Sequence, residues 1–310
     1  MWKTKILFPG HCTSPHLDLV ACPSFSPLGT GDATRTIIYL GRMSRLYTAS
    51  QLITHRIASR RWDAFHSPFL FRLFTHCCSR TGDSPFFEKI ESRRKMLLQS
   101  QVEIERMDFG AGSMGKQGSG RQKIRTIARK ALSAPFECRF LARLAGYLRA
   151  SHILEFGTSL GISASYLQAG APEAAIVTIE GDPAVTAMAA ETFHSLGLNE
   201  IQLVNSTFDQ YLLSHPSVST PIDILFLDGH HISSALIEYF IKLKPRFTSE
   251  TVVVVDDIYW SKDMHEGWLH LIREPEVTQS VDCFYFGLLF FKSEFFQKEH
   301  HLTHLPVLRV

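Results

Sequence analysis

Ile153-Leu154-Glu155-Phe156-Gly157-Thr158-Ser159-Leu160-Gly161-Ile162-Ser163 is the stretch whose reading decides the fold. An apolar strand runs straight into a glycine-containing turn, and the turn opens a helix. Gly157 and Gly161 let backbone approach a ligand where a Cβ would collide. Open α/β sheets bind ligands outside the carboxyl ends of their strands, which is where this turn falls. Taken alone, the pattern also fits a tight strand–helix connection with no ligand, so its neighbours must decide.

Downstream, the chain alternates short apolar strands with helical periodicity. Strands are expected at His152–Phe156, Ala175–Ile179, Ile201–Val204, Ile222–Leu227 and Thr251–Val255, with helices between them. Two last strands, Gln279–Phe286 and Leu288–Phe291, flank Gly287 and suggest an antiparallel hairpin. Alternation of this kind predicts an α/β protein with a mostly parallel sheet and helices on both faces. A closing hairpin of this kind speaks against the dinucleotide-binding arrangement.

Several strand ends carry polar groups. Val177-Thr178-Ile179-Glu180-Gly181-Asp182 places an acid 20–25 residues beyond the glycine turn, a spacing suited to both hydroxyls of a ribose. Alone, Glu180 would read as a solvated strand-end carboxylate. Asn205-Ser206-Thr207-Phe208-Asp209 follows the third strand, where an apolar ring and short polar groups can bracket an adenine. Phe208 reads equally well as core. Phe226-Leu227-Asp228-Gly229-His230-His231 and Val255-Asp256-Asp257 end the fourth and fifth strands. Asp228, Asp256 and Asp257 would converge there and offer hard oxygen ligands to a Mg²⁺-like divalent cation. A histidine beside them suits a general base, since its ordinary pKa lies near neutrality. The plain alternative for each histidine is a loop residue capping the next helix.

Bulk properties bound the rest. The chain has 310 residues, 45% hydrophobic and 20% charged, with a formal net charge of +2, too small to imply a polyanionic partner. No apolar run approaches the ~18 residues of a membrane span. Cys12, Cys22, Cys77, Cys78, Cys138 and Cys283 form no CxxC pair, which favours a reduced, cytoplasmic protein. Residues 1–42 lack sustained periodicity and read as a disordered or mis-annotated leader, with Met43 a natural start. Residues 43–119 read as an N-terminal helical cover segment. Leu46, Leu52, Ile53 and Ile57 are the main apolar positions of its first helix, and Pro68 starts a second. A third helix is expected over Pro85–Ser100, with Ile90, Met96 and Leu97 inward. Asp108-Phe109-Gly110-Ala111-Gly112-Ser113 imitates the glycine turn but lacks a following strand that ends in an acid, so it reads as part of the cover. Lys116–Arg129 reads as a basic loop entering a helix near Gln122.

On Glu155-Phe-Gly-Thr-Ser-Leu-Gly161, Val177-Thr-Ile-Glu180, Phe226-Leu-Asp-Gly-His-His231 and Val254-Val-Asp-Asp-Ile258, the chain resembles class I S-adenosylmethionine-dependent methyltransferases of the small-molecule O-methyltransferase type. The His66-Ser-Pro-Phe69 and Asp108–Ser113 segments are similar to the N-terminal part of a poorly characterised bacterial subgroup. The resemblance implies a Rossmann-like methyltransferase fold over residues 120–310, with a seven-stranded sheet, a C-terminal antiparallel hairpin and an N-terminal helical extension. It implies that Glu155, Gly157, Thr158, Ser159 and Gly161 wrap the methionine end of S-adenosylmethionine. Glu180 and Gly181 would meet the ribose, Thr207 and Phe208 the adenine, and Asp228 would adjoin the cofactor. His231, Asp228 and His230 become the catalytic candidates. Metal-dependent relatives ligate a cation at the positions of Asp228, Asp256 and Asp257, but often place lysine where His231 stands. A metal-independent enzyme with His231 as base fits equally well.

The expected reaction is methyl transfer to an oxygen or nitrogen of a small acceptor, its pocket shaped by Trp260, Trp268 and the N-terminal helices. A nicotinamide-dependent oxidoreductase would need G-x-G-x-x-G, whereas Ser159 takes the second glycine's place. RNA or protein methylation would use the basic stretch Lys116–Lys130, which lacks the interleaved aromatics of a nucleic-acid surface. The acceptor's identity and the oligomeric state, a homodimer included, are left open.

Overall fold

A computed structural model describes residues 47–78, 83–107, 120–215, 220–293 and 298–305. The leader at 1–42, the Asp108–Ser113 segment and the basic residue Lys116 lie outside the described residues. Residues 43–310 form one compact unit.

The N-terminal part supplies helices α1 (47–58), α2 (Pro68–Cys77) and α3 (Phe86–Gln99). Pro68 is the first residue of α2, and the Ser67 hydroxyl caps it by accepting from the Leu70 N–H at 3.3 Å. The predicted apolar face of α1 points outward: Leu52, Ile53 and Ile57 are exposed, and the buried side chain is His55. On α3, Ile90 and Leu97 are buried as expected, whereas Met96 is exposed. A two-stranded antiparallel ribbon, β1 (Glu103–Arg106) with β2 (Gly120–Lys123), follows. Polar strands of this kind carry no period-2 apolar signal, and residues 120–123 of the expected basic loop are the strand β2.

Beyond it run α4 (Ile124–Ala131), α5 (Pro135–Leu148), β3 (His152–Phe156), α6 (Ile162–Gly170), β4 (Ala175–Glu180), α7 (Pro183–Leu196) and β5 (Gln202–Asn205). Then come α8 (Phe208–Ser214), β6 (Ile224–Leu227), α9 (Ser233–Leu243), β7 (Val252–Asp256) and α10 (Lys262–Leu271). The last strands are β8 (Gln279–Asp282), β9 (Phe286–Phe290) and β10 (Glu299–Leu302). The main sheet has the order β10-β8-β9-β7-β6-β3-β4-β5. It is parallel from β5 to β7, and β9 runs antiparallel to both β7 and β8. The expected seven strands and hairpin are there. An eighth, β10, adds parallel to β8 at the edge.

The hairpin's turn falls three residues earlier than Gly287, at Cys283–Tyr285, where Phe284 has φ 73°. Gly287 lies inside β9 because its missing side chain makes room for Trp268: a Cβ there would come within 2.5 Å of the indole ring. Successive residues of β3 bury on opposite faces, Ile153 with Phe74, Phe140 and Leu144, and Leu154 with Tyr239, Phe240 and Leu271. Among the described residues, no helix is long and apolar enough to cross a membrane.

Candidate active site

From β3 the chain steps to β4 and β5 on one side, while β6 and β7 extend the sheet on the other. The strand order therefore reverses between β3 and β6, and a crevice opens at their carboxyl ends. The register pairs Phe156 with both Ile179 and Leu227, and Leu227 with Val255. The next residues along, Gly157, Glu180, Asp228 and Asp256, therefore reach the edge at one level.

Gly157 carries the sharpest constraint. Its φ is +111°, and a Cβ would lie 1.8 Å from the Asp228 carbonyl oxygen. The glycine is thus demanded by the approach of two backbones. Gly161 has φ +83° and begins α6 against the Phe193 ring. Between them, Ser159 takes φ 48° and donates its N–H to Glu180 Oε2 at 3.0 Å. The Asp182 N–H donates to Glu180 Oε1 at 2.9 Å. Each oxygen of a carboxylate has capacity for a further donor. Burial raises the pKa of Glu180, and the two backbone donors oppose that shift.

Beneath the loop, Thr158 is buried and its hydroxyl meets that of Thr178, which in turn donates to Glu155 Oε2. Thr158 therefore supports the turn from below. Glu155 is fully buried, and burial pushes its carboxyl up to about 7 against the hydroxyls of Ser163 and Thr178. Glu155 Oε1, Ser159 Oγ and His231 Nδ1 are buried without a hydrogen-bond partner. Buried polar atoms are normally satisfied, so three such atoms along one edge point to a polar ligand there.

Gly181 contributes its carbonyl to the Asn205 side chain at 3.3 Å. Thr207 caps α8 by accepting from the Gln210 N–H at 3.2 Å, so its hydroxyl is engaged locally. Phe208 is core: it stacks on Phe156 with ring centroids 4.7 Å apart.

On the other side of the crevice, Asp228 and Asp256 adjoin at the neighbouring ends of β6 and β7, near enough to interact. Burial and the neighbouring acids Asp257 and Glu137 raise both proton affinities. Asp257 stands at φ 53°, tied by its N–H to the Tyr285 carbonyl at 2.8 Å. His231 Nε2 lies 3.9 Å from both Asp228 Oδ1 and Asp257 Oδ2, and its ring is 5.6 Å from that of Trp260. Burial lowers the His231 pKa, more than Asp257 restores it, so the imidazole is neutral near pH 7. His230 turns the other way, with Nδ1 2.7 Å from the Tyr239 hydroxyl. Trp260 is half exposed beside His231, whereas Trp268 is fully buried in the core and lines no pocket.

Asp228, Asp256 and Asp257 have the right donor chemistry for a hard cation. As placed, two adjoin each other and the third faces His231. Among the described residues, no group of three or more His, Cys, Asp or Glu side chains is arranged to hold a metal ion. The three acids therefore do not fit a cation in this arrangement.

Three residues that the sequence reading passed over take part. Asp182 is buried, and its Oδ1 caps α7 by accepting from the Ala184 N–H at 2.9 Å. Glu137 accepts from the Ala134 N–H at 2.7 Å, and burial raises its carboxyl to about 7. Ser133 Oγ lies 3.5 Å from Asp228 Oδ2. Asp182 before Pro183, and Glu137 two residues after Pro135, carry helix-start signals that could have marked them.

Residues 154–258 match a protein-family profile described as a methyltransferase domain. Comparison with curated proteins gives no match. Among solved structures, the chain is similar to a methyltransferase of Podospora anserina bound to S-adenosylhomocysteine, at 13% identity and a TM-score of 0.51, covering 74% of this chain and 97% of that one. It is also similar to an O-methyltransferase from Bacillus cereus in complex with S-adenosylhomocysteine, at 16% identity and a TM-score of 0.50, covering 71% and 96%. At such identities the likeness speaks for the fold.

Proposed function

We propose that this chain, a methyltransferase on the class I fold, transfers a methyl group from S-adenosylmethionine to an oxygen or nitrogen of a small molecule. The observation that carries this is the construction of the crevice: Glu180 held by two backbone N–H groups, opposite the unpartnered Glu155 Oε1 and Ser159 Oγ. A carboxylate with spare acceptor capacity suits a ribose diol, and an unpartnered carboxylate oxygen suits an amino group. Glu155, Gly157, Ser159, Gly161 and Glu180 would hold the cofactor. Gly181 supports that loop, Thr158 braces it from beneath, and Thr207 and Phe208 shape its far wall.

The bound cofactor supplies an electrophilic methyl group on a sulfonium, whose bonding electrons stay with sulfur as the methyl leaves. His231, neutral and flanked by Asp228 and Asp257, would take the proton of the attacking acceptor group. The two carboxylates would favour the imidazolium that results. Trp260 beside His231 would hold the acceptor, and positioning would supply most of the acceleration. His230, paired with Tyr239, would orient the loop that carries His231. Residues 43–119 would serve as a cover over the 120–310 domain. No step is assigned to a cation. If Mg²⁺ takes part, the Asp228–Asp256 pair must open to ligate it, and assays with Mg²⁺ and with a chelator test that form of the reading.

Calorimetric titration with S-adenosylmethionine and NADH in parallel tests the reading. Micromolar binding of the former alone is expected, weakened in Glu180→Ala by about 1.5–3 kcal/mol, roughly ten- to a hundredfold. Binding of NADH, or of neither ligand, would overturn it.

A further inference from the structure

The β1–β2 ribbon reaches the cofactor side of the crevice through Arg106 and the backbone N–H that follows it. Arg106 Nε donates to Asp182 Oδ2 at 3.2 Å, and its Nη1 donates to Gln122 Oε1 on β2 at 3.2 Å. The Met107 N–H donates to the same Asp182 oxygen at 3.0 Å. The other oxygen, Oδ1, faces the N–H groups of Ala184 and Val185 at the start of α7. Asp182 passes the connection on through its own N–H to Glu180, whose second oxygen is bonded by the Ser159 N–H. One unbroken series of hydrogen bonds therefore runs from the ribbon to the glycine loop.

An exposed ion pair would matter little here, being worth at most about 1 kcal/mol. This one is different. The Asp182 side chain is 2% exposed and that of Arg106 is 24% exposed. Glu155, Glu180 and Asp182 also place three carboxyl groups at the ends of neighbouring strands. Around Glu180, burial favours the neutral form, the two backbone donors oppose it, and of the smaller effects the charge of Asp182 favours the neutral form and the cation of Arg106 the charged one. Glu155 feels the charge of Glu180 in turn. A carboxylate accepts from two hydroxyls, whereas a protonated carboxyl loses one acceptor site to its own proton.

We infer that Arg106 is a positioning residue of the cofactor site, holding Glu180, through Asp182, as the charged acceptor for a ribose diol. The inference rests on the proposed use of the crevice for S-adenosylmethionine. It makes the β1–β2 ribbon part of the binding apparatus, although its sequence carries no cofactor signature.

The test is calorimetric titration of the full-length protein with S-adenosylhomocysteine, using wild type, R106Q, R106K, E180A and the R106Q/E180A double variant. R106Q should weaken binding about tenfold, the size of one lost hydrogen bond to a charged group, and R106K should stay within about threefold of wild type. In the E180A background R106Q should add nothing, since the two act on one interaction. On acidification, R106Q should release the ligand at a higher pH than wild type, because losing the cation beside Asp182 raises the proton affinity of Glu180. Q122L loosens the guanidinium without deleting it and serves if R106Q fails to fold; about threefold weakening is expected, and none in E180A. Wild-type affinity in R106Q, or an equal loss in both backgrounds, would overturn the role of Arg106 alone. No binding to wild type would overturn the cofactor reading and this inference with it.

Discussion

At the β3–β4 side of the crevice, Glu180 is held by the backbone N–H groups of Ser159 and Asp182, and Gly157 packs against the Asp228 carbonyl. At the β6–β7 side, the polar side chains meet one another: Asp228 adjoins Asp256, and His231 stands 3.9 Å from two carboxylates. Residues from distant parts of the chain brace that side: Tyr259 donates to Asp282 Oδ2 at 2.9 Å, and His55 Nε2 of α1 lies 3.0 Å from Asp282 Oδ1. The first side is set by main-chain geometry and suits a constant ligand. The second is set by replaceable side chains and suits a partner that varies.

The comparison breaks most severely at Gly157→Ala. A methyl group 1.8 Å from a backbone oxygen, at φ +111°, forces the β3 and β6 ends apart. A loss of more than about 4 kcal/mol in unfolding free energy is expected from denaturant titration, and cofactor binding should go with it. If the variant folds with wild-type stability, the rigid half is less rigid than described.

His231→Ala should separate the halves cleanly. Turnover should fall by about 10²–10⁴-fold while S-adenosylhomocysteine affinity holds, as read from single-turnover rates and calorimetry. Because burial lowers the His231 pKa, the neutral base persists into mild acid. The acidic limb of the rate should therefore have its midpoint below 6.5, the ordinary value for histidine. An acidic limb above 6.5 would point to a different base.

Glu155 probes the buried floor of the cofactor half. Its carboxyl titrates at about 7 in the folded chain against the ordinary 4.5. Between those values the folded state binds more protons than the unfolded, so stability falls as pH rises through the interval. The full loss, about 3 kcal/mol, is complete above pH 7. Glu155→Gln should flatten that slope in chemical unfolding series run from pH 4.5 to 8. An unchanged slope would place the proton uptake elsewhere.

The smallest effect is expected at His55→Ala, which leaves the buried Asp282 short of one partner and costs about 1–3 kcal/mol. Acceptor turnover should drop with it, through the Tyr259 segment, and cofactor affinity should not. A change confined to cofactor affinity would contradict the division into halves.

Much of this arrangement was legible beforehand. The strands from His152 to Asp256, their turns and the acids at their ends follow from apolar runs and turn chemistry within about ten residues of each position. Pro68 opening α2 is equally local. The misreadings share one cause. Gly287 lies where a hairpin turn is expected and is instead a notch for Trp268, and on α1 the apolar positions Leu52, Ile53 and Ile57 are exposed while His55 is buried. Residues 120–123, expected as part of a basic loop, lack alternation and pair as a strand with Glu103–Arg106. Phe208 suits both adenine and core from its neighbours in the chain, and its stacking on Phe156 is a contact that only the fold supplies.

The amino-acid sequence by itself determined the alternating α/β order, the glycine turn after β3 and the acids that end β4, β6 and β7, because each depends on residues adjacent in the chain. The tertiary structure alone decided which acids adjoin, that His231 rather than His230 faces the carboxylates, and that Arg106 is tied through Asp182 to Glu180. Those are contacts across the sheet edge and between segments as much as 76 residues apart, and their partners are chosen by packing, on which local periodicity carries no information.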